Sequence, residues 1–256
     1  MQYMADIVRD FYDHLAGNYH LMFEEWDASI KRQAGALGPL LERECGPATR
    51  ILDCACGIGT QALGLAIRGF RVTGTDLSER AVERAQEEAL TRGLECDFYV
   101  ADMRDLSTLP ETGFDAVICM DNALPHLFTD DDLAQAAAQV LSKLRRGGTF
   151  IASIRDYDEL IRERPMVQGP GFFSDAGRQR IVFQLWDWKD ERRYAFHQYI
   201  TRDTPQEWET HHGVSEYRAV LRQELTVILE RAGFVNVRWL FPAESGFYQP
   251  IVLCNA

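Results

Sequence analysis

From residue 50 to residue 155 the sequence alternates short apolar runs with helix-period segments, and one run after another closes on an acid. Arg50 to Cys54 is a first strand, ending at Asp53, and Gln61 to Arg68 reads as a helix stopped by Gly69. Arg71 to Thr75 is a second strand, followed by Asp76. Ser78 is placed to cap the next helix, with Glu79 in its first turn and apolar residues at helical spacing up to Gly93. Asp97 to Val100 runs to Asp102, and Phe114 to Met120 runs to Asp121. Thr129 and Asp132 resemble a capping box, Gly147 and Gly148 break the helix that follows, and Thr149 to Ile154 is a fifth strand running into Arg155. Such alternation predicts a parallel sheet with helices on both faces, and in such sheets ligands bind beyond the carboxyl ends of the strands. The strand-end acids are therefore the first candidates for chemistry.

The flanks differ in character. Residues 1–48 carry two helical stripes, Ile7, Val8, Phe11, Tyr12, Leu15 and then Ile30, Ala34, Leu37, Leu41, separated by Tyr19, Phe23 and Trp26. Arg180 to Trp188 and Arg193 to Thr201 alternate about a polar turn and read as a β-hairpin, to which Glu207 to Tyr217 adds a strand. Val220 to Ala232 is a helix closed by Gly233, and Val235 to Phe241 with Gln249 to Cys254 make a closing strand pair. One domain results: a helical cap (1–48), a cofactor-binding core (49–155), a substrate cover (156–218) and a closing segment (219–256).

A net charge of −12 opposes phosphate backbones and argues against nucleic-acid binding. No apolar run has the length of a membrane span, and residues 1–10 lack the pattern of a secretory signal. The six cysteines form no Cys-x-x-Cys pair, so free thiols in the cytoplasm are expected, and no ligand cluster suggests a metal. The oligomeric state is left open, a homo-oligomer included.

The loop after the first strand is Asp53-Cys54-Ala55-Cys56-Gly57-Ile58-Gly59-Thr60. Its small residues let backbone approach a ligand, and the next helix aims its N-terminus at the same place. Gly57-x-Gly59-x-x-Ala62, with Asp76 about 20 residues on, also satisfies the relaxed dinucleotide fingerprint. Asp53 argues against that reading, because a carboxylate at the strand end opposes a pyrophosphate and suits an amino group. With Asp76 for a ribose diol and Asp102 for an adenine amine, the acids describe an amine, a ribose and an adenine without phosphate. That ligand is S-adenosylmethionine.

The chain resembles class I S-adenosylmethionine-dependent methyltransferases, and within them the glycine N-methyltransferase and glycine/sarcosine N-methyltransferase family. The resemblance rests on Asp53 to Gly59, on Gly113 to Cys119, on Asn122 with His126, and on Arg155-Asp156-Tyr157-Asp158. It implies a Rossmann-like, mostly parallel seven-stranded α/β sheet with a helical N-terminal cap and an inserted antiparallel cover. It also implies S-adenosylmethionine as cofactor, with S-adenosylhomocysteine as product. Its cofactor set comprises Ala55, Gly57, Gly59, Asp76, Leu77, Asp102, Met103 and Met120, with Asp53 touching the ligand or holding the loop. Trp26 and Arg32 belong to the cap over the methionine tail, where Arg32 meets the carboxylate. Arg155 binds a substrate carboxylate, its alternative being an ion pair with Asp156 or Asp158. Asn122 orients the amine and Tyr157 joins the substrate set; Val220 and Leu221 fall where the family carries a substrate-facing tyrosine, a place that Tyr217 either fills or leaves open.

Departures from the family pattern bear on the substrate. Asp121 stands where the family has a small residue, placing a carboxylate beside the transfer position. An amine must lose a proton before it attacks, and Asp121 and His126 are the catalytic candidates, His126 alternatively serving only to hold its loop. The aromatics of the hairpin region, Phe172, Phe173, Trp186, Trp188, Tyr194, Phe196 and Tyr199, form a cover or simply pack the hairpin. N-methylation of a small amino-acid-like molecule is the reading of choice, with O- or S-methylation of a small natural product as the alternative.

Overall fold

The computed structural model describes the backbone of residues 2–47 and 49–256, and side chains from Asp6 onward over the same range. Helices α1 (Gln2–Leu15) and α2 (Trp26–Cys45) precede the sheet, joined by a single tight turn over Tyr19–Met22. The alternating core follows as β1 (Arg50–Asp53), α3 (Thr60–Ile67), β2 (Arg71–Asp76), α4 (Glu79–Thr91), β3 (Cys96–Val100), β4 (Phe114–Cys119), α5 (Asp130–Lys143) and β5 (Leu144–Ser153). Beyond it lie α6 (Tyr157–Glu163), β6 (Val167–Asp175), β7 (Arg178–Trp188), β8 (Arg193–Asp203), β9 (Trp208–Arg218), α7 (Arg222–Ala232), β10 (Val235–Leu240), α8 (Pro242–Ser245) and β11 (Ile251–Asn255).

Seven strands form one sheet in the order β10-β11-β5-β4-β1-β2-β3. Its first five strands in chain order pair in parallel, and β11 runs antiparallel to both β5 and β10. Side chains alternate between faces, so neighbours part company: Leu52, Val117 and Phe150 join one apolar layer, Ile51, Ile118 and Ile151 the other. Burial on both faces explains why β1 and β4 read as continuous apolar runs. Strand order reverses between β1 and β4, the place where open α/β sheets leave a crevice.

The remaining strands form a second, antiparallel sheet ordered β6-β7-β8-β9. The hairpin of β7 and β8 follows the expected register, with Trp188 opposite Tyr194. Strand β6 has no counterpart in the sequence reading, because its Gly169-Pro170-Gly171 reads as a breaker. It forms as an edge strand whose register shifts between Gln168 and Gly171. This sheet packs on α1 and on the loop after β4; Phe11 meets Phe196 at 5.2 Å, and a Cβ on Gly213 would come within 2.9 Å of Phe11.

Three local expectations change. Strand β5 begins at Leu144, directly after α5, so Gly147 and Gly148 lie within the strand rather than between helix and strand. Thr129 does cap α5 by accepting from the Asp132 N–H, but the Asp132 carboxylate accepts from the Thr129 hydroxyl and from Arg104 instead of closing a capping box. Helix α6 fills the segment after Arg155, which carried no helix expectation.

Candidate active site

The loop between β1 and α3 forms the floor of a first cavity. Gly57 (φ 53°) and Gly59 (φ 91°) take the left-handed backbone that the turn needs, and a Cβ on Gly59 would stand 3.1 Å from Leu63 Cγ. Asp76, at the end of β2, braces this loop: its Oδ2 accepts from the Gly57 N–H at 2.8 Å and its Oδ1 from the Ser78 N–H at 2.9 Å. The cap of α4 is Ser78, not Asp76, which leaves the Asp76 carboxylate on the cavity wall. Ala55, Gly57, Leu77, Asp102 and Met103 line the same cavity, and Met120 and Asp121 line it at the end of β4. The Asp102 carboxylate takes a forked pair of bonds from Arg104, whose other arm reaches Asp132 at 2.9 Å.

Some expected cofactor residues stand elsewhere. Gly59 shapes the turn without lining the cavity. Trp26 lines neither this cavity nor its neighbour: its indole N–H donates to Thr60 Oγ1 at 2.9 Å and fixes the start of α3. Arg32 bonds Ser29 Oγ at 3.0 Å and lines the neighbouring chamber. Asp53 is fully buried beneath the loop; its Oδ1 accepts from the Ala55 N–H at 3.4 Å and its Oδ2 has no partner. Burial pushes its pKa up to about 8, with Asp76 and Asp121 nearby adding to the rise.

A second chamber lies alongside and shares three walls with the first, Tyr12, Tyr19 and Asp121. Asp121 adopts φ 55° and Asn122 φ 69°, a pair of left-handed residues that sends their side chains to different places. The Asp121 carboxylate enters the junction of the two cavities, accepting from Tyr248 Oη at 2.6 Å and from Gln61 Nε2 at 2.7 Å. Burial raises its pKa, against the lowering effect of those bonds. Asn122 lines neither cavity; it accepts from the Arg155 backbone N–H at 3.0 Å and donates to Tyr157 Oη at 2.9 Å. Tyr157, fully buried, stands behind Arg155 and contacts Tyr194 Oη at 3.1 Å.

Arg155 lines the second chamber. Its guanidinium donates to Tyr194 Oη at 2.8 Å and to Gln184 Oε1 at 3.2 Å, and lies over the rings of Trp186 (4.7 Å) and Tyr217 (5.1 Å). Asp156 and Asp158 turn away to Arg222, so among the described residues no carboxylate pairs with Arg155. Tyr217 lines the chamber beside Phe196, with which it stacks at 4.5 Å; Phe173 lines it too, whereas Phe172 is exposed and Trp188 and Tyr199 line neither cavity.

His126 lines the first cavity, held at both nitrogens. Nδ1 lies 3.0 Å from the Glu216 carbonyl, which can only accept, so Nδ1 carries the proton and Nε2 accepts from Tyr12 Oη at 2.9 Å. Burial, joined by the charge of Arg155 and opposed by the bond to the Glu216 carbonyl, lowers its pKa to about 3. The geometry makes His126 an anchor for Tyr12, poorly suited to act as a base near neutral pH. The ring should therefore stay neutral from pH 5 to 8, checked by histidine resonances in NMR; an inflection near pH 6.5 would contradict this.

Gln61, Tyr248 and Gln184 complete the site without having been singled out for it by sequence, and Tyr194, expected in the cover, bonds Arg155. Glutamines carry no motif, and Tyr248 meets Asp121 from 127 residues away, a contact visible only once β11 pairs with β5. Ser153, whose Oγ accepts from the Asp121 N–H at 2.9 Å and donates to Gln249 Oε1 at 2.8 Å, links the same two segments.

The donor set favours a cationic ligand. Asp53, Asp76 and Asp121 cluster around the first cavity with raised pKa values, burial being the first cause for each, and Asp53 offers a buried oxygen without a partner. An ammonium and a sulfonium relieve such a cluster, whereas a pyrophosphate would aggravate it. Residues 51–148 match the family model described as a methyltransferase domain. Over that stretch the chain carries a methyltransferase domain. The glycine/sarcosine N-methyltransferase of Aphanothece halophytica is 33% identical over 162 residues, covering 61% of this chain and 60% of that protein. The chain thus spans well under two thirds of that relative's length. By structure, the chain is similar to DesVI of Streptomyces venezuelae (TM-score 0.74, 20% identity, 98% and 97% of the two chains). It is similar as well to CalS10, an amino pentose methyltransferase of Micromonospora echinaspora solved with S-adenosylmethionine bound (TM-score 0.72, 20% identity, 89% and 91%). The seven-stranded sheet and its antiparallel partner are the architecture of this fold. No described helix is long and apolar enough to cross a membrane, and no described cluster of side chains has a metal-binding arrangement.

Proposed function

We propose that this protein methylates the amine of a small acceptor that also carries a carboxylate. The observation behind this reading is Arg155, a guanidinium with no carboxylate partner among the described residues, in a chamber that shares Asp121 with the cofactor cavity. A planar guanidinium suits a carboxylate bidentately. When bound, S-adenosylmethionine supplies a methyl group on a sulfonium sulfur.

The chain's part is to bind, align and remove a proton. Asp76, Leu77, Asp102, Met103 and Met120 would surround the cofactor, with Ala55 and Gly57 beneath it and Asp53 behind that loop. Arg155, backed by Asn122 and Tyr157 and flanked by Tyr217, holds the carboxylate. Asp121 accepts a hydrogen bond from the ammonium at the junction and, with a pKa above the ordinary carboxylate range, takes its proton. Tyr248 and Gln61 keep the Asp121 oxygens pointed at that junction. Enclosure by the antiparallel sheet keeps the nucleophile desolvated and within reach, which is where alignment yields rate.

A second reading has its own support. Gln184, Gln198 and Gln249 are buried at the chamber wall, and amides both donate to and accept from hydroxyl groups. That lining suits O-methylation of a hydroxylated metabolite. Release of S-adenosylhomocysteine across amines, phenols, thiols and polyols separates the two. Turnover led by amino acids is the expected result, and turnover confined to hydroxyl or thiol acceptors would overturn the proposal.

A further inference from the structure

A third cavity adjoins the acceptor chamber at Arg155. Arg155, Gln168, Tyr248 and Gln249 line both, and the third cavity lies on the outer side of β6 and the segment before β11. Most of its other lining residues are apolar, Val167, Trp186 and Phe241 among them, and the carboxylates of Asp156, Glu159 and Glu163 line it too, Asp156 being held by Arg222. Three of its lining residues are exposed large apolar side chains, Phe241 at 41%, Val167 at 49% and Tyr248 at 57%. Scattered exposed apolar residues need no explanation, but a set gathered around one concavity beside a substrate chamber does. An amino acid without a side chain, such as glycine, would leave this vestibule wetted.

Resting on the amine-and-carboxylate reading above, we infer that the acceptor is an amino acid with a bulky apolar side chain. Its amine lies at Asp121, its carboxylate at Arg155, and its side chain passes between Gln168 and Tyr248 into the vestibule, against Val167, Trp186 and Phe241. Tyr248 has two parts in this arrangement: its hydroxyl holds Asp121 while its ring forms part of the vestibule wall. Burying a leucine- or phenylalanine-sized side chain there is expected to favour such acceptors over glycine by on the order of tenfold to a hundredfold.

The test compares kcat/KM for glycine, leucine and phenylalanine in the unaltered protein and in Phe241→Glu and Val167→Glu. Both positions are exposed on elements outside the main core, and two variants guard against one failing to fold. Phenylalanine or leucine should exceed glycine by at least tenfold, and each variant should cut that ratio by about tenfold. Glycine turning over as well as phenylalanine, or a ratio unmoved in both variants, would overturn the inference. If no amino acid turns over, the proposed function fails separately. Calorimetric titration of phenylalanine and glycine into protein loaded with S-adenosylhomocysteine then still reads the vestibule. Tighter phenylalanine binding that the variants abolish supports it, and equal or absent binding contradicts it.

Discussion

Replacing Arg155 by methionine should raise KM for an amino-acid acceptor by a hundredfold or more, while leaving the folded protein as stable as before. The kinetic loss follows from removing a charge-assisted, two-armed contact to a carboxylate, worth about 3 kcal/mol. The stability expectation follows from the arrangement around the guanidinium. An ordinary buried ion pair loses several kcal/mol when one member is removed, because the other is left as an uncompensated charge. Arg155 has no such partner among the described residues, since Asp156 and Asp158 belong to Arg222. The contacts forfeited are with Tyr194, Gln184 and two aromatic faces. Binding of S-adenosylhomocysteine should be unchanged, because Arg155 does not line the first cavity. A melting temperature that falls with activity would mean that Arg155 is a structural strut and not an acceptor contact.

Asp53→Asn should stabilise the ligand-free protein above pH 8 by up to about 5 kcal/mol and make almost no difference near pH 4. The folded-state pKa of Asp53 is about 8, raised first by burial, against an ordinary value of 3.8. Between those values the folded chain keeps a proton that the unfolded chain has released. Stability from this group is therefore fully present at low pH and is lost as pH rises through about 8. Asparagine matches the neutral acid in shape and does not titrate, so the advantage of the variant grows over the same window. Denaturant unfolding of both proteins at pH 5 and pH 8.5 measures it. A difference independent of pH would show that Asp53 ionises freely in the folded chain, and would remove the argument for a cationic ligand above it.

The alternation of elements and the loop from Asp53 to Gly59 were legible because each is local: apolar runs, caps and glycines act within a few residues of themselves. The closing pair and the β7–β8 hairpin were legible for the same reason. Strand β6 was hidden by its Gly-Pro-Gly, which reads as a breaker and folds as an irregular edge. Side-chain direction was the harder matter. Asp121 and Asn122 are adjacent, both at positive φ, and one faces the junction while the other faces inward to hold Arg155 and Tyr157. Trp26 follows the same logic: the expectation put it in the cap over the methionine tail, whereas its indole turns to Thr60. The isolation of Arg155 depends on where Arg222 stands, 67 residues further along the chain, and Tyr248 reaches Asp121 only through the sheet. Contacts of that range are set by topology and leave no local pattern.

The central claim is that one acceptor presents an amine to Asp121 and a carboxylate to Arg155. It is tested most directly by measuring methyl transfer to an amino acid beside its decarboxylated amine, phenylalanine against phenethylamine, under identical conditions. Phenylalanine should be methylated on nitrogen with a kcat/KM about a hundredfold or more above that of phenethylamine. Equal turnover of the two, or methylation of neither alongside turnover of a phenol or thiol, would contradict it.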